Sequence, residues 1–173
     1  MNYGIVIFPS KKLQDIANSY RKRYDPHYAL VPPHLTLKNV FSADDDQIKD
    51  IAGKLSAISK KYDPFNLKVY KVSSFQPVNN VIYFKVESKP ELQGLHDDMH
   101  NNQNFMGDEP EFAFVPHITI AQKLSNDEHS DIFGSLSMLG IDHEETIDRF
   151  HLLYQFENCL WSVYDTLRLG KEE

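Results

Sequence analysis

Cysteine is nearly absent. The single Cys159 in 173 residues excludes an intramolecular disulfide and fits a reducing compartment, with the thiol expected in the core or on a strand. Glycine is also scarce, at 7 residues, and none of them forms the phosphate-cradling loops of Walker or dinucleotide-binding type. No apolar run approaches the ~20 residues of a membrane span, and Met1 to Phe8 carries no basic leader, so a cytoplasmic protein with no membrane association is expected. Basic residues are outnumbered 18 to 25, for a net charge of −7. That balance opposes an extended grip on nucleic acid, which depends on neutralising many phosphates. It leaves open a small phosphate ester held by a few donors. Low-complexity stretches and long linkers are absent too, and the length suits one domain.

What is present is a motif that occurs twice. Pro33-His34-Leu35-Thr36-Leu37 and Pro116-His117-Ile118-Thr119-Ile120 both read Pro-His-aliphatic-Thr-aliphatic. On an extended strand alternate side chains share a face, so each copy shows an imidazole and a hydroxyl on one side and aliphatics on the other. The copies are 83 residues apart (117 − 34), about half the chain. Two similar halves, approximately 1–78 and 79–173, are expected within a single 1–173 domain, an arrangement that allows strands to be exchanged between lobes.

The chain in order supports a repeat. Residues 3–8 form a strand ending at Pro9, and Ser10 caps a helix to Tyr24 with Leu13, Ile16, Ala17 and Tyr20 at helical spacing. Arg21, Lys22 and Arg23 make a basic last turn suited to the helix dipole. The prolines at 32 and 33 force an extended approach to His34. Ser42 then reads as the N-cap of a helix bearing Ile48, Ile51, Ala52, Leu55 and Ile58, matched at the same offset by Ser125. Phe65 to Phe75 and Asn80 to Glu87 read as a hairpin, and a helix runs from Pro90 to about Asn104. A shorter helix spans Asp127 to Leu139 and stops at Gly140. Thr146 to Phe156 and Leu160 to Leu169 close the chain as a second hairpin. The expected class is α+β and bilobed: two pseudo-symmetric β-α-β-type halves with antiparallel sheets flanking a central cleft.

Such a cleft would bring the two His-Thr faces together, and that suits one reaction type. Splitting a phosphate ester without a metal needs one group to take a proton from the attacking oxygen and another to give one to the leaving oxygen. Two histidines supply both near neutral pH, while threonine hydroxyls donate to the phosphate oxygens on which charge accumulates.

In this paired motif the sequence resembles the two-histidine (2H) phosphoesterases, the 2′-5′ RNA ligase-like proteins, and is most similar to their YjcG-like bacterial branch. The resemblance covers the whole chain. It implies metal-independent, cofactor-free action on 2′,3′-cyclic or related phosphodiesters of nucleotides or RNA ends, with His34 as proton donor, His117 as proton acceptor, and Thr36 and Thr119 as phosphate ligands. Members of the family often carry an arginine near the second motif, whereas residues 111–115 here include no basic residue. Lys38, four residues beyond His34 on the same expected face, is a substitute cation. Tyr83 and Phe114 are candidates to stack on a base.

Two other readings compete. His96 and His100 have the i, i+4 spacing of zinc hydrolases, but aspartate stands where those enzymes carry glutamate and no third ligand is apparent, which favours a packing role. A module that binds nucleotides or RNA ends without turnover would use the same cleft, yet binding alone has no need for an acid-base pair. No protein partner is expected.

Overall fold

The run Ile5-Val6-Ile7, stopped by Pro9, forms strand β1 (Asn2–Ile7), and Ser10 caps helix α1 (Lys11–Tyr24) by accepting a hydrogen bond from the Leu13 N–H. Then come β2 (Leu35–Ser42), α2 (Asp45–Ser59), β3 (Phe65–Ser74), β4 (Ile82–Val86) and α3 (Pro90–Met99). The remainder is β5 (His117–Ala121), α4 (Asn126–Leu136), β6 (His143–Ile147), β7 (Arg149–Gln155) and β8 (Trp161–Arg168). The computed structural model of the chain describes residues 1–101 and 113–170. The expected end of α3 near Asn104 lies outside the described residues. No described helix is long and apolar enough to cross a membrane.

The architecture is α+β. Its strands form one antiparallel sheet in the order β6-β3-β4-β5-β2-β1-β7-β8. Two four-strand half-sheets therefore meet edge to edge at the motif strands β2 and β5, where Leu35 pairs with Ile118. Strand β3 follows α2 in the chain but pairs with β4, and β7 returns to pair with β1. The half-sheet of β2 thus takes β7 and β8 from the second half of the chain, and that of β5 takes β3 from the first.

One face of the sheet packs on the helices. Ile5, Ile7, Leu35, Leu37, Phe84, Ile118 and Ile120 lie there with Leu13 and Ala17 of α1, the α2 stripe of Ile48, Ile51, Leu55 and Ile58, and Leu92, Leu95 and Met99 of α3. The strand alternation is the cause: residues between these aliphatics emerge on the opposite, open face. There Val6, Val31 and Leu153 form a small second cluster with Phe8 and Trp161.

Several local features differ from expectation. The N-cap of α2 is Asp44, reciprocally bonded with Gln47, whereas α4 is capped by Ser125 with Glu128. The helices therefore start at an offset of 81 rather than 83 (125 − 44), because strand β2 runs on through Ser42. Helix α4 ends at Leu136 with Ser137 as its C-cap, ahead of Gly140. The run expected from Thr146 is divided at Asp148, with β6 pairing to β3 and β7 to β1 at opposite ends of the sheet. Cys159 is exposed, in the β7–β8 turn with φ of 70°.

Candidate active site

The prolines deliver each motif histidine in the same way. After Pro32-Pro33 the His34 ring folds back so that Nδ1 lies 2.8 Å from the Pro32 carbonyl, and after Pro116 the His117 Nδ1 lies 2.8 Å from the Val115 carbonyl. A carbonyl oxygen only accepts, so Nδ1 carries the proton in both rings and Nε2 is left as the working atom.

Register places the hydroxyls. With Leu35 opposite Ile118 in an antiparallel pair, His34 lies across from Thr119 and Thr36 across from His117. Directly opposed side chains have Cβ atoms about 4.5–5.5 Å apart, and diagonal neighbours such as His34 and His117 lie about 7–8 Å apart. A phosphate hydrogen-bonded on both sides fits such a gap. All four polar residues are half-buried on the open face, while Leu35 and Ile118 beneath them are fully buried.

Both imidazoles are held neutral. Loss of hydration in the surrounding protein pushes His34 down to about 4, opposed by the Pro32 carbonyl and Asp25 and helped by the charge of Arg21 and by repulsion from His117 whenever that ring is charged. Desolvation also lowers His117, against its bond to Val115. The mutual repulsion of the two rings disfavours charging both at once.

Aromatic rings flank His117. Phe75 meets it edge-on at 4.9 Å and Tyr83 at 5.2 Å, with Phe75 and Tyr83 4.3 Å apart. Tyr83 is only 4% exposed, so its ring backs the histidine rather than offering an open stacking face. Phe75, half-buried just past β3, escaped the sequence reading because its position beyond a strand end carries no periodic signal. Phe114 lies in a different stack, parallel to His96 at 4.2 Å, with His96 against His100 at 4.1 Å.

Lys38 also lies elsewhere than expected. Between the pairs Val6–Thr36 and Ile5–Lys38 strand β2 has an extra residue, and such a bulge breaks the two-residue alternation. Lys38 is consequently 7% exposed, lies 5.8 Å from the Phe41 ring, and acts electrostatically on His96 and His100. It belongs with that group and does not share the face of His34 and Thr36. His96 and His100 stack instead of converging on a point, and His100 Nδ1–H donates to the His96 carbonyl at 2.7 Å. No group of three or more His, Cys, Asp or Glu among the described residues could hold a metal ion.

A clamp not read from the sequence ties the two motif segments together. Arg21, 2% exposed, donates to Asp25 at 3.2 Å, to Asn18 at 2.7 Å and to the Val31 carbonyl at 2.7 Å. The Asp25 carboxylate also accepts from the His27 N–H and the Gln122 side chain, each at 2.8 Å. Arg21 was expected to serve the helix dipole. In the fold it pins the loop leading to His34, while Gln122, just past β5, joins the His117 strand to the same carboxylate.

Known proteins share the family and the fold of this chain. The family model of the 2′-5′ RNA ligase superfamily matches residues 8–157. A Bacillus licheniformis protein named "Putative phosphoesterase" is 59% identical over 170 residues, covering 98% of this chain and 99% of its own. A Bacillus cytotoxicus protein of the same description is 60% identical, with 99% and 98% covered. In fold, TT0787 of Thermus thermophilus superposes with a TM-score of 0.74 at 16% identity, over 99% of this chain and 100% of that one. LigT of E. coli, in a complex with 3′-AMP, gives 0.71 at 14% identity over 98% of each chain. With the paired motif meeting at one seam and a family match across most of its length, the chain belongs to the 2′-5′ RNA ligase superfamily of two-histidine phosphoesterases.

Proposed function

We propose that the protein is a metal-independent phosphoesterase that hydrolyses, or in reverse ligates, 2′,3′-cyclic or related phosphodiesters of nucleotides or RNA ends. The observation supporting this is the matched pair of imidazoles, each with Nδ1 committed to a backbone carbonyl and a threonine opposite. In hydrolysis His117 Nε2 takes a proton from the attacking water as its oxygen bonds to phosphorus. His34, protonated at Nε2, gives its proton to the ester oxygen as the other P–O bond breaks. Thr36 and Thr119 donate to the non-bridging oxygens. The direction of this assignment follows the family resemblance, and it reverses in ligation.

Both rings are neutral in the free site, so the acid must gain its proton when substrate arrives. An anionic phosphate within about 4–6 Å favours the charged imidazole. Substrate anion and proton then bind together. LigT of E. coli has been crystallised with 3′-AMP, ATP, NADP+ and phosphate, and nucleotides are the natural first ligands to try here. A reducing cytoplasm suits the exposed Cys159.

Assay of a panel of 2′,3′-cyclic nucleotides and oligonucleotide ends with wild type, His34→Ala, His117→Ala and the double variant tests the proposal. Either single change should abolish most turnover, and the double should be little worse, because groups acting as a unit are non-additive. A chelator should leave the rate unchanged. Tight nucleotide binding with no turnover of any member would favour the binding-module reading instead.

A further inference from the structure

Strand register gives His117 a neighbour unlike any beside His34. Lys85 on β4 pairs with His117, and Lys71 on β3 pairs with Lys85. Residues paired across antiparallel strands share a face, so His117, Lys85 and Lys71 form a row on the open face, crossing strands about 4.8 Å apart. The burial along β4 agrees, with Ile82, Phe84 and Val86 in the core and Lys85 half-buried between them. Among the described residues no ion pair occupies either lysine, although the Lys71 ammonium lies 5.9 Å from the Tyr70 ring.

The other half contrasts. One residue beyond the Ile7–Leu35 pair is Phe8, and Val6 pairs with Thr36. The strand next to His117 thus carries a lysine, whereas the strand next to His34 carries Phe8 and Val6, with His151 of β7 beyond them.

We infer that Lys85 and Lys71 form an anion subsite continuing from His117, which takes a second phosphate of the substrate and makes phosphodiesters carrying that second phosphate the preferred class. The inference rests on the phosphoesterase reading for the position of the reacting phosphate. Lysine suits the task as a compact charge on a flexible stem. Two lysines on a chain of net charge −7 fit one or two further phosphates rather than a long polymer. The second phosphate could be the next linkage of an oligonucleotide or a terminal phosphate of a free nucleotide.

Three substrates sharing a 2′,3′-cyclic phosphate distinguish these: a nucleoside with a free 5′-hydroxyl, its 5′-phosphorylated form, and a short oligonucleotide. In wild type the second phosphate should raise kcat/KM at least about tenfold, and that ratio should collapse in Lys85→Gln and Lys71→Gln. The dependence of log kcat/KM on log salt should flatten by about 0.7 for each lysine removed, as expected when a single-strand phosphate contact is lost. A gain with the 5′-phosphorylated nucleoside identifies the free nucleotide as source, whereas a gain confined to the oligonucleotide identifies the next linkage. Equal kcat/KM for all three, with unaltered salt slopes in the variants, overturns the subsite and leaves the phosphoesterase reading intact. If wild type turns over none of them, the phosphoesterase reading fails. Fluorescence-anisotropy titration of a labelled oligonucleotide with a 3′-phosphate then reads the subsite directly: weaker, less salt-dependent binding by the variants supports it, and unchanged binding overturns it.

Discussion

Leu35 lies opposite Ile118 where the two half-sheets join, and that pairing sets each threonine across from the histidine of the other motif. Each half of the candidate site is therefore mixed, with Thr119 beside His34 and Thr36 beside His117.

Valine at Thr36 or Thr119 keeps the β-branched shape but loses the donor. Each change should lower kcat about 100-fold or more, the usual cost of removing one oxyanion donor, while the urea midpoint stays near that of wild type. Unaltered kinetics in both variants would assign these hydroxyls to structure alone.

Ligand binding should take up a proton. Sulfate, which does not itself titrate near neutrality, should bind more tightly as pH falls, by up to about tenfold per unit for one linked proton. Calorimetry in buffers of different ionisation enthalpy measures the uptake, and pH-independent sulfate affinity would contradict it.

Stability should also depend on pH through His34. Its folded value near 4 lies below the ordinary 6.5, so in that interval the unfolded chain binds more protons. Stability then rises with pH across the window. Put in reverse, the protein weakens as pH falls from 6.5 towards 4, and the loss levels off below the folded value. Urea unfolding at several pH values should show a smaller decline in His34→Gln than in wild type.

The Arg21–Asp25 pair separates stability from positioning. Asp25→Ala leaves a buried guanidinium without its counter-charge and should cost about 3–5 kcal/mol. Replacing both partners, as Arg21→Met with Asp25→Leu, should restore most of the stability, since apolar substitutes for a buried pair are often neutral. Turnover should stay low in the double variant, because the Val31 carbonyl and Gln122 have lost the groups that hold them. Wild-type kinetics in a stable double variant would show that the clamp has no part in placing the histidines.

How far the sequence revealed this molecule depended on whether a residue's place follows from a local period. His34, Thr36, His117 and Thr119 were legible because strands alternate every two residues and the pattern occurs twice. The apolar stripe of α2 was legible for the same kind of reason at helical spacing. Lys38 was misread because one extra residue in β2 reverses the alternation, and nothing in Leu35 to Ser42 marks that bulge. Arg21, Asp25 and Gln122 were not legible as a group, since Asp25 and Gln122 are 97 positions apart and meet only in the folded chain. Phe114 and Tyr83 show the limit of residue type: both are aromatic near a motif, yet one ring is occupied by His96 and the other by Phe75 and His117.

The exchange of β3 and β7 between half-sheets has a consequence for synthesis on the ribosome. Strand β1 is made well before its partner β7, whose Tyr154 pairs with Tyr3. The half-sheet carrying His34 stays open at that edge until β7 has emerged. Pairings this distant in sequence are slow to form, and an apolar strand with an unfilled edge is exposed to association with other nascent chains. The half-sheet behind His34 is thereby completed only after β7 and β8 have emerged, later than the β2–β5 seam itself.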